Sequence, residues 1–236
     1  MNFDHQKASL VSHSTGILFS EAVQSTPQEL VAYCARVSNP ANQNNHQTSE
    51  KLVRYLVKHK HWSPLEMVSA TVEIETTRDI ARQMLRHRSF AFQEFSQRYA
   101  DPTAALDFVT RDARLQDPKN RQNSVQTDNE ILLNEWDRRQ QQMIVMAKNT
   151  YEWAIMHGIA KEQARAILPE GNTMSRLYMA GTLRSFVHYV EVRTANGTQA
   201  EHMDVARKIA LAIAPVFPLI SDFVAAQAVD PQDLTK

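Results

Sequence analysis

The chain has 236 residues, 43% of them hydrophobic and 22% charged, the ordinary composition of a soluble globular protein that buries one sizeable core or two small ones. Lysine plus arginine balances aspartate plus glutamate at 26 each, and a net charge of zero argues against a whole-surface nucleic-acid binder while leaving room for a local basic cleft. One cysteine, Cys34, excludes an internal disulfide framework, no run reaches membrane-spanning length, and the opening MNFDHQKASL lacks an apolar signal core, so a soluble, cytoplasmic protein away from membranes is expected.

In chain order, residues 8–24 read as one or two short strands, with Leu10, Val11, Ile17, Leu18 and Phe19 as the apolar positions. Thr26 and Pro27 open a helix as N-cap and first position, with Glu29 completing a capping box; it runs through Leu30, Val31, Tyr33, Cys34 and Val37 and stops before Pro40. Cys34 sits in its apolar pattern, where a thiol is normally buried and inert. After a polar linker, a second helix spans 49–60 with Leu52, Val53, Tyr55, Leu56 and Val57 on one side. The string His59-Lys60-His61-Trp62-Ser63-Pro64-Leu65-Glu66 follows, whose two histidines form a candidate metal pair with no third ligand nearby. Residues 68–74 alternate like a half-buried strand.

The densest chemistry lies in 82–99, RQMLRHRSFAFQEFSQRY, where arginines, glutamines, a histidine and a glutamate alternate with Phe90, Phe92 and Phe95. Its first part reads as the end of a helix opening near Thr76 and Thr77 as N-caps, with Asp79 as the first-turn acid. On that helix Gln83 and Arg86 can face one ligand while Arg88 projects elsewhere. From Ser89 the chain reads as extended, with Phe90 and Phe92 opposite Gln93; continued as a strand, it would put Glu94, Ser96 and Arg98 on one face to grip one polar substrate.

Residues 101–128 read as a long surface loop, either a lid or a solvated insertion. A long helix covers 130–157 with Ile131, Leu132, Trp136, Met143, Met146, Ala147, Tyr151 and Ala154 as core, ended by Gly158. A shorter helix, 161–168, presents Arg165 before Pro169; 173–180 reads as a strand. Thr182 opens a helix on which Arg184, His188 and Glu191 share a face. Arg193 closes it, Asn196-Gly197 marks a turn, and helical segments cover 199–214 and 219–229. The expectation is one helix-rich α+β domain over 1–236 with 101–128 as an insertion. The five glycines contain neither GxGxxG nor GxxxxGK[ST], so a bound flavin or nucleotide is not held by a Rossmann or P-loop device.

Arg86-His87-Arg88, seven residues, then Ser96 resembles the RHR-x7-S signature of the flavin-dependent thymidylate synthases, and Gln83, Glu94, Arg98 and Tyr99 also fit that pattern. The resemblance runs in order over 25–214, tightly at 59–66, 82–99, 164–169 and 182–201. It implies a central, mostly antiparallel sheet and a methyltransferase that makes dTMP from dUMP, with 5,10-methylenetetrahydrofolate as one-carbon donor and FAD, reduced by NADPH, as hydride carrier. It also implies a homotetramer with active sites shared between subunits. Matched residue by residue, dUMP falls to Gln83, Arg86, Glu94, Phe95, Ser96, Gln97, Arg98, Arg165 and Arg193, with Arg193 the catalytic residue that polarises the uracil. FAD falls to His61, Ser63, Glu66, Arg86, His87, Arg88, Glu94, Thr182, Leu183, Arg184 and His188. No metal and no cysteine nucleophile are implied, which suits a lone Cys34 far from the signature.

The chain departs from the common family form at Ala91 and Gln93, where Ser and Asn are usual, at Thr182 and His188, where Asn is common, and at Gly197, where some members have His. Ser96 has no locally spaced histidine base, so it reads as a binder rather than a nucleophile. Two rivals stand beside this reading: a nucleotide or RNA binder stacking bases on the Arg- and Phe-rich segment, and a metal-dependent hydrolase using His59, His61, His188 and Glu191.

Overall fold

The computed structural model describes residues 3–16 and 25–225. The positions Ile17, Leu18 and Phe19, and the part of the expected 219–229 helical segment beyond residue 225, lie outside that range; the described part of that segment forms a 3-10 helix over Pro218–Phe223. Strand β1 (Lys7–His13) is followed by α1 (Pro27–Ala35). The Thr26 hydroxyl accepts the Glu29 N–H at 3.2 Å and the Glu29 carboxylate accepts the Thr26 N–H at 2.8 Å, the reciprocal box its sequence predicts. Helix α1 ends short of Val37, which is exposed. Helix α2 (Ser49–Lys58) stops where Lys60 adopts a left-handed conformation, φ 58°. A 3-10 turn over Ser63–Glu66 then leads into β2 (Ser69–Thr77), whose alternation buries Ala70, Val72 and Ile74.

Helix α3 (Arg78–Met84) and strand β3 (Ala91–Glu94) carry the signature segment. Residues 101–128 are not a featureless loop: they hold a helical turn, α4 (Pro102–Ala105), and a hairpin of β4 (Arg114–Gln116) and β5 (Ser124–Gln126). Strands of three residues are too short to show a period, which is why the sequence reads as loop there. The arm is anchored at its base. Buried Gln140 accepts the Arg111 N–H at 3.0 Å and donates to the Arg111 carbonyl at 2.9 Å, and Arg111 reaches Asp79 at 2.6 Å.

Helix α5 (Glu130–Met156), the short α6 (Lys161–Ala164), β6 (Met174–Thr182), α7 (Leu183–Arg193) and α8 (Ala200–Ile213) complete the chain. The sheet order is β1-β2-β6-β3 with every neighbouring pair antiparallel. Its buried face, including Val72, Ile74, Leu177 and Met179, packs with Phe186, Val190, Val205 and Ile209 of α7 and α8 in one core. The fold is thus helix-rich α+β.

Helix α5 corrects the sequence reading most. It spans about 40 Å, and only Gln140, Ala147, Tyr151 and Ala154 are buried along it. Ile131, Leu132, Trp136, Met143 and Met146, read as core from their spacing, are exposed, Ile131 at 83% and Met146 at 71%. One chain offers packing surface mainly under the C-terminal part of the helix, where Tyr151, Ala154, Ala164 and Leu168 form a small second cluster.

Candidate active site

The site begins where β2 runs into α3. Thr77 takes the N-cap position, but its hydroxyl donates to the Asp79 carboxylate at 2.7 Å instead of accepting a backbone N–H. After Met84 the chain tightens: the His87 N–H reaches the Met84 carbonyl at 3.0 Å and the Phe90 N–H the His87 carbonyl at 3.3 Å. These turns leave Arg86 and Arg88 exposed and rotate His87 inward against α7. There the Arg193 Nε–H donates to His87 Nε2 at 2.8 Å, while the His87 ring meets Tyr189 edge-on at 4.9 Å. Burial first, then the charges of Arg193 and His188, push the His87 imidazole down to about pKa 4, so it is neutral at physiological pH and can accept.

Thr182 caps α7, its hydroxyl accepting the Ser185 N–H at 3.3 Å. Arg184, His188 and Glu191 share one helix face, as their spacing predicts, and line a cavity of about 540 Å³ with Glu66, Ser89 and Trp62. Arg184 and Glu66 form an ion pair at its mouth, and Ser185 donates to the Ser89 carbonyl at 3.3 Å. One guanidinium fork, an imidazole, hydroxyl groups and an indole wall suit part of a flat heterocycle with polar substituents, as in a flavin nucleotide, while the carboxylates of Glu66 and Glu191 disfavour a phosphate beside them. Within one chain the cavity gathers Glu66, Thr182, Arg184 and His188, but not Arg86, Arg88 or Arg193. His61 and Ser63 flank Trp62 and are exposed. The Leu183 side chain is fully buried and its N–H is donated to the Val68 carbonyl, so that side chain lies in the core and not at the cavity.

A second polar cluster surrounds Glu94. Its carboxylate accepts from Ser175 at 2.9 Å and lies 3.5 Å from Arg78 and 3.7 Å from Arg82, both of which also approach Glu170. Sequence reading missed Arg78, whose side chain is only 6% exposed. A cation in the first turn of a helix opposes the macrodipole, and that misfit was the available signal. The extended grip expected of Glu94, Ser96 and Arg98 does not form. Strand β3 ends at Glu94, and the Ser96 carbonyl takes the N–H groups of Tyr99 and Ala100, so the chain turns. Arg98 instead pairs with Glu162 on α6 at 3.3 Å, just before Arg165. Phe95 is half-buried; Gln97 is buried, and its Nε2 finds no partner among the described residues.

Gln83 is tied to residues that sequence reading did not single out: Gln199, which accepts from its Nε2 at 2.7 Å, and His202, whose Nδ1 lies 3.1 Å from its Oε1. Among the described residues no group of three or more His, Cys, Asp and Glu is placed to hold a metal ion.

The chain is similar to known proteins over most of its length. The family model of the thymidylate synthase complementing proteins matches residues 21–219. A probable flavin-dependent thymidylate synthase of Paramecium bursaria Chlorella virus 1 is 47% identical over 196 residues, 83% of this chain and 89% of the viral protein. The flavin-dependent thymidylate synthase of a Synechocystis strain is 47% identical over 192 residues, 81% of this chain and 85% of its own. Among solved structures, the UMP/dUMP methylase PolB from Streptomyces cacaoi bound with 5-Br dUMP superposes with a TM-score of 0.73 at 25% identity, covering 92% of this chain and 93% of that one.

Proposed function

The chain belongs to the flavin-dependent thymidylate synthase family, and on that premise we propose that it converts dUMP to dTMP by reductive methylation, using FAD, NADPH and 5,10-methylenetetrahydrofolate. FAD held by the site residues would supply the hydride, and the folate the carbon, for the methyl group at C5. The chain's own residues bind, orient and polarise.

The observation that carries this reading is the Arg193–His87 contact. A neutral imidazole accepting Nε–H holds the guanidinium by one edge and leaves its other N–H groups for a ligand. Beside a uracil ring, that fixed cation stabilises negative charge developing on the N3-deprotonated or enolate-like base. Arg98 and Arg165, which flank α6, with the Ser96 hydroxyl, seat the nucleotide phosphate; a phosphate would take Arg98 from its exposed partner Glu162. Gln83, Arg86, Glu94, Phe95 and Gln97 complete the dUMP side. The cavity under Arg184 and His188, with Glu66 and Thr182, takes part of the FAD, and Arg88, His61 and Ser63 meet the rest. The Cys34 thiol does not attack C6: it sits on α1, and burial pushes its pKa up, away from a reactive thiolate.

The scatter of the remaining arginines over one chain's surface, together with the apolar stripe left open on α5, supports a homotetramer whose sites are completed by a neighbour's residues. In this reading the chain acts as one soluble cytoplasmic domain with the 101–128 arm as part of it. Purified protein is expected to be yellow, to bleach with NADPH without oxygen, and to form dTMP from dUMP and the folate; a colourless protein that forms none overturns the proposal.

A further inference from the structure

A line of hydrogen bonds runs through the interior from α7 to the β4–β5 arm. The Tyr189 hydroxyl lies 3.0 Å from His202 Nε2, and His202 Nδ1 lies 3.1 Å from Gln83 Oε1. Gln83 Nε2 donates to Gln199 Oε1 at 2.7 Å, and Gln199 Nε2 donates to Glu201 Oε2 at 2.9 Å. Both Glu201 oxygens accept from Arg114 Nη2, at 2.6 and 2.8 Å. Tyr189, His202 and Glu201 are buried.

Such a line has a direction, because each amide and imidazole is a donor at one end and an acceptor at the other. Burial alone would raise the Glu201 carboxyl, but the Arg114 hydrogen bonds and charge outweigh it and hold the pKa below the usual range. An ionised carboxylate only accepts, so Gln199 must turn its NH2 toward Glu201 and its carbonyl toward Gln83. Gln83 then turns its NH2 toward Gln199 and its carbonyl toward His202, which must carry its proton on Nδ1 and take the Tyr189 hydroxyl on Nε2. Reversing one link alone would set two donors or two acceptors face to face in a buried place. His202 is fully buried and Gln199 only partly so, which puts the NH2 of the Gln83 carboxamide on its outward side.

We infer that the Arg114–Glu201 ion pair sets Gln83 as a hydrogen-bond donor to an acceptor atom of the pyrimidine nucleotide. Arg114, Glu201, Gln199, His202 and Tyr189 are positioning residues, acting through the one residue of the line that faces the ligand. The inference rests on the reading of Gln83 as a dUMP ligand. It also gives the 101–128 arm a role in the site that it does not itself enter.

Glu201→Gln tests it. A glutamine that accepts from Arg114 turns its own NH2 toward Gln199, which reverses every link and moves the His202 proton to Nε2. In the FAD-bound enzyme labelled with 15N-histidine, with the His202 signal assigned through His202→Phe, the wild type is expected to show the Nδ1–H tautomer and Glu201→Gln the Nε2–H tautomer. The variant's KM for dUMP is expected to rise about tenfold, with flavin absorbance retained. Arg114→Lys keeps a cation on Glu201 and is expected to keep both the tautomer and a KM near the wild type. Tyr189→Phe tests the same direction should Glu201→Gln not fold, and is expected to leave the proton on Nδ1. A Glu201→Gln protein that keeps Nδ1–H or an unchanged KM, or a Tyr189→Phe protein that switches, overturns the inference. The tautomers are read without substrate, so their outcome stays separate from whether the wild type makes dTMP.

Discussion

The Arg193 Nε–H donates to His87 Nε2 at 2.8 Å, so the histidine at the centre of the signature steers the arginine that closes α7. The two are far apart in the chain and meet because β3 pairs with β6, which feeds directly into α7. Removing the acceptor leaves the guanidinium free to rotate. His87→Leu is expected to lower kcat for dTMP formation about a hundredfold, the scale of a misplaced catalytic group, with flavin still bound by its absorbance. Unchanged turnover would show that Arg193 needs no such support.

Two imidazoles, His202 fully buried and His87 half-buried, make stability depend on pH. Burial, then Arg193 and His188, lower His87 to about 4; burial, then Arg193 and His87, lower His202 to about 3. Both titrate near 6.5 when unfolded, so below that pH the unfolded chain binds more protons than the native one. The stability they contribute is complete above about pH 6.5 and is lost as pH falls toward about 3–4. Thermal melts are expected to drop between about pH 6.5 and pH 5, and less steeply in His202→Phe. Equal slopes in the two proteins would contradict the buried neutral state of His202.

Gly181 is a glycine because Phe90 lies against it. A Cβ there would sit 2.4 Å from Phe90 Cδ1, and that ring is packed edge-on against Phe186 at 4.9 Å. Gly181→Ala is expected to destabilise the protein by about 1–3 kcal/mol, read from urea unfolding, with Phe90→Leu recovering part of the loss. A neutral Gly181→Ala would mean that the signature turn moves at little cost.

On the open face of α5, Met146 is 71% exposed within one chain. Met146→Glu places a charge where an apolar partner surface is proposed, and it is expected to lower the sedimenting mass and the activity while leaving the circular dichroism of the chain unchanged. A tetramer of normal activity would remove α5 from the interface.

Much of this arrangement was legible residue by residue. The Thr26–Glu29 box starts α1, and the i, i+4, i+7 spacing of Arg184, His188 and Glu191 puts them on one cavity because a helix repeats every 3.6 residues. Other parts depend on long-range contacts that a local pattern does not encode. Ser96 and Arg98 left the expected strand because the Ser96 carbonyl captures two N–H groups ahead of it. The apolar stripe of α5 is genuine amphipathicity, but one chain does not cover most of it. Arg78, Tyr189 and His202 carry no local motif; partners distant in sequence, such as Glu94 for Arg78 and Gln83 for His202, are what define them.

The most direct measurement is release of the C5 hydrogen of tritiated dUMP by the NADPH-reduced protein with 5,10-methylenetetrahydrofolate, comparing the wild type with Arg193→Ala. The wild type is expected to release tritium in step with dTMP, and Arg193→Ala to hold its flavin yet release almost none. Release by Arg193→Ala at the wild-type rate would contradict the role proposed for Arg193 in polarising the uracil.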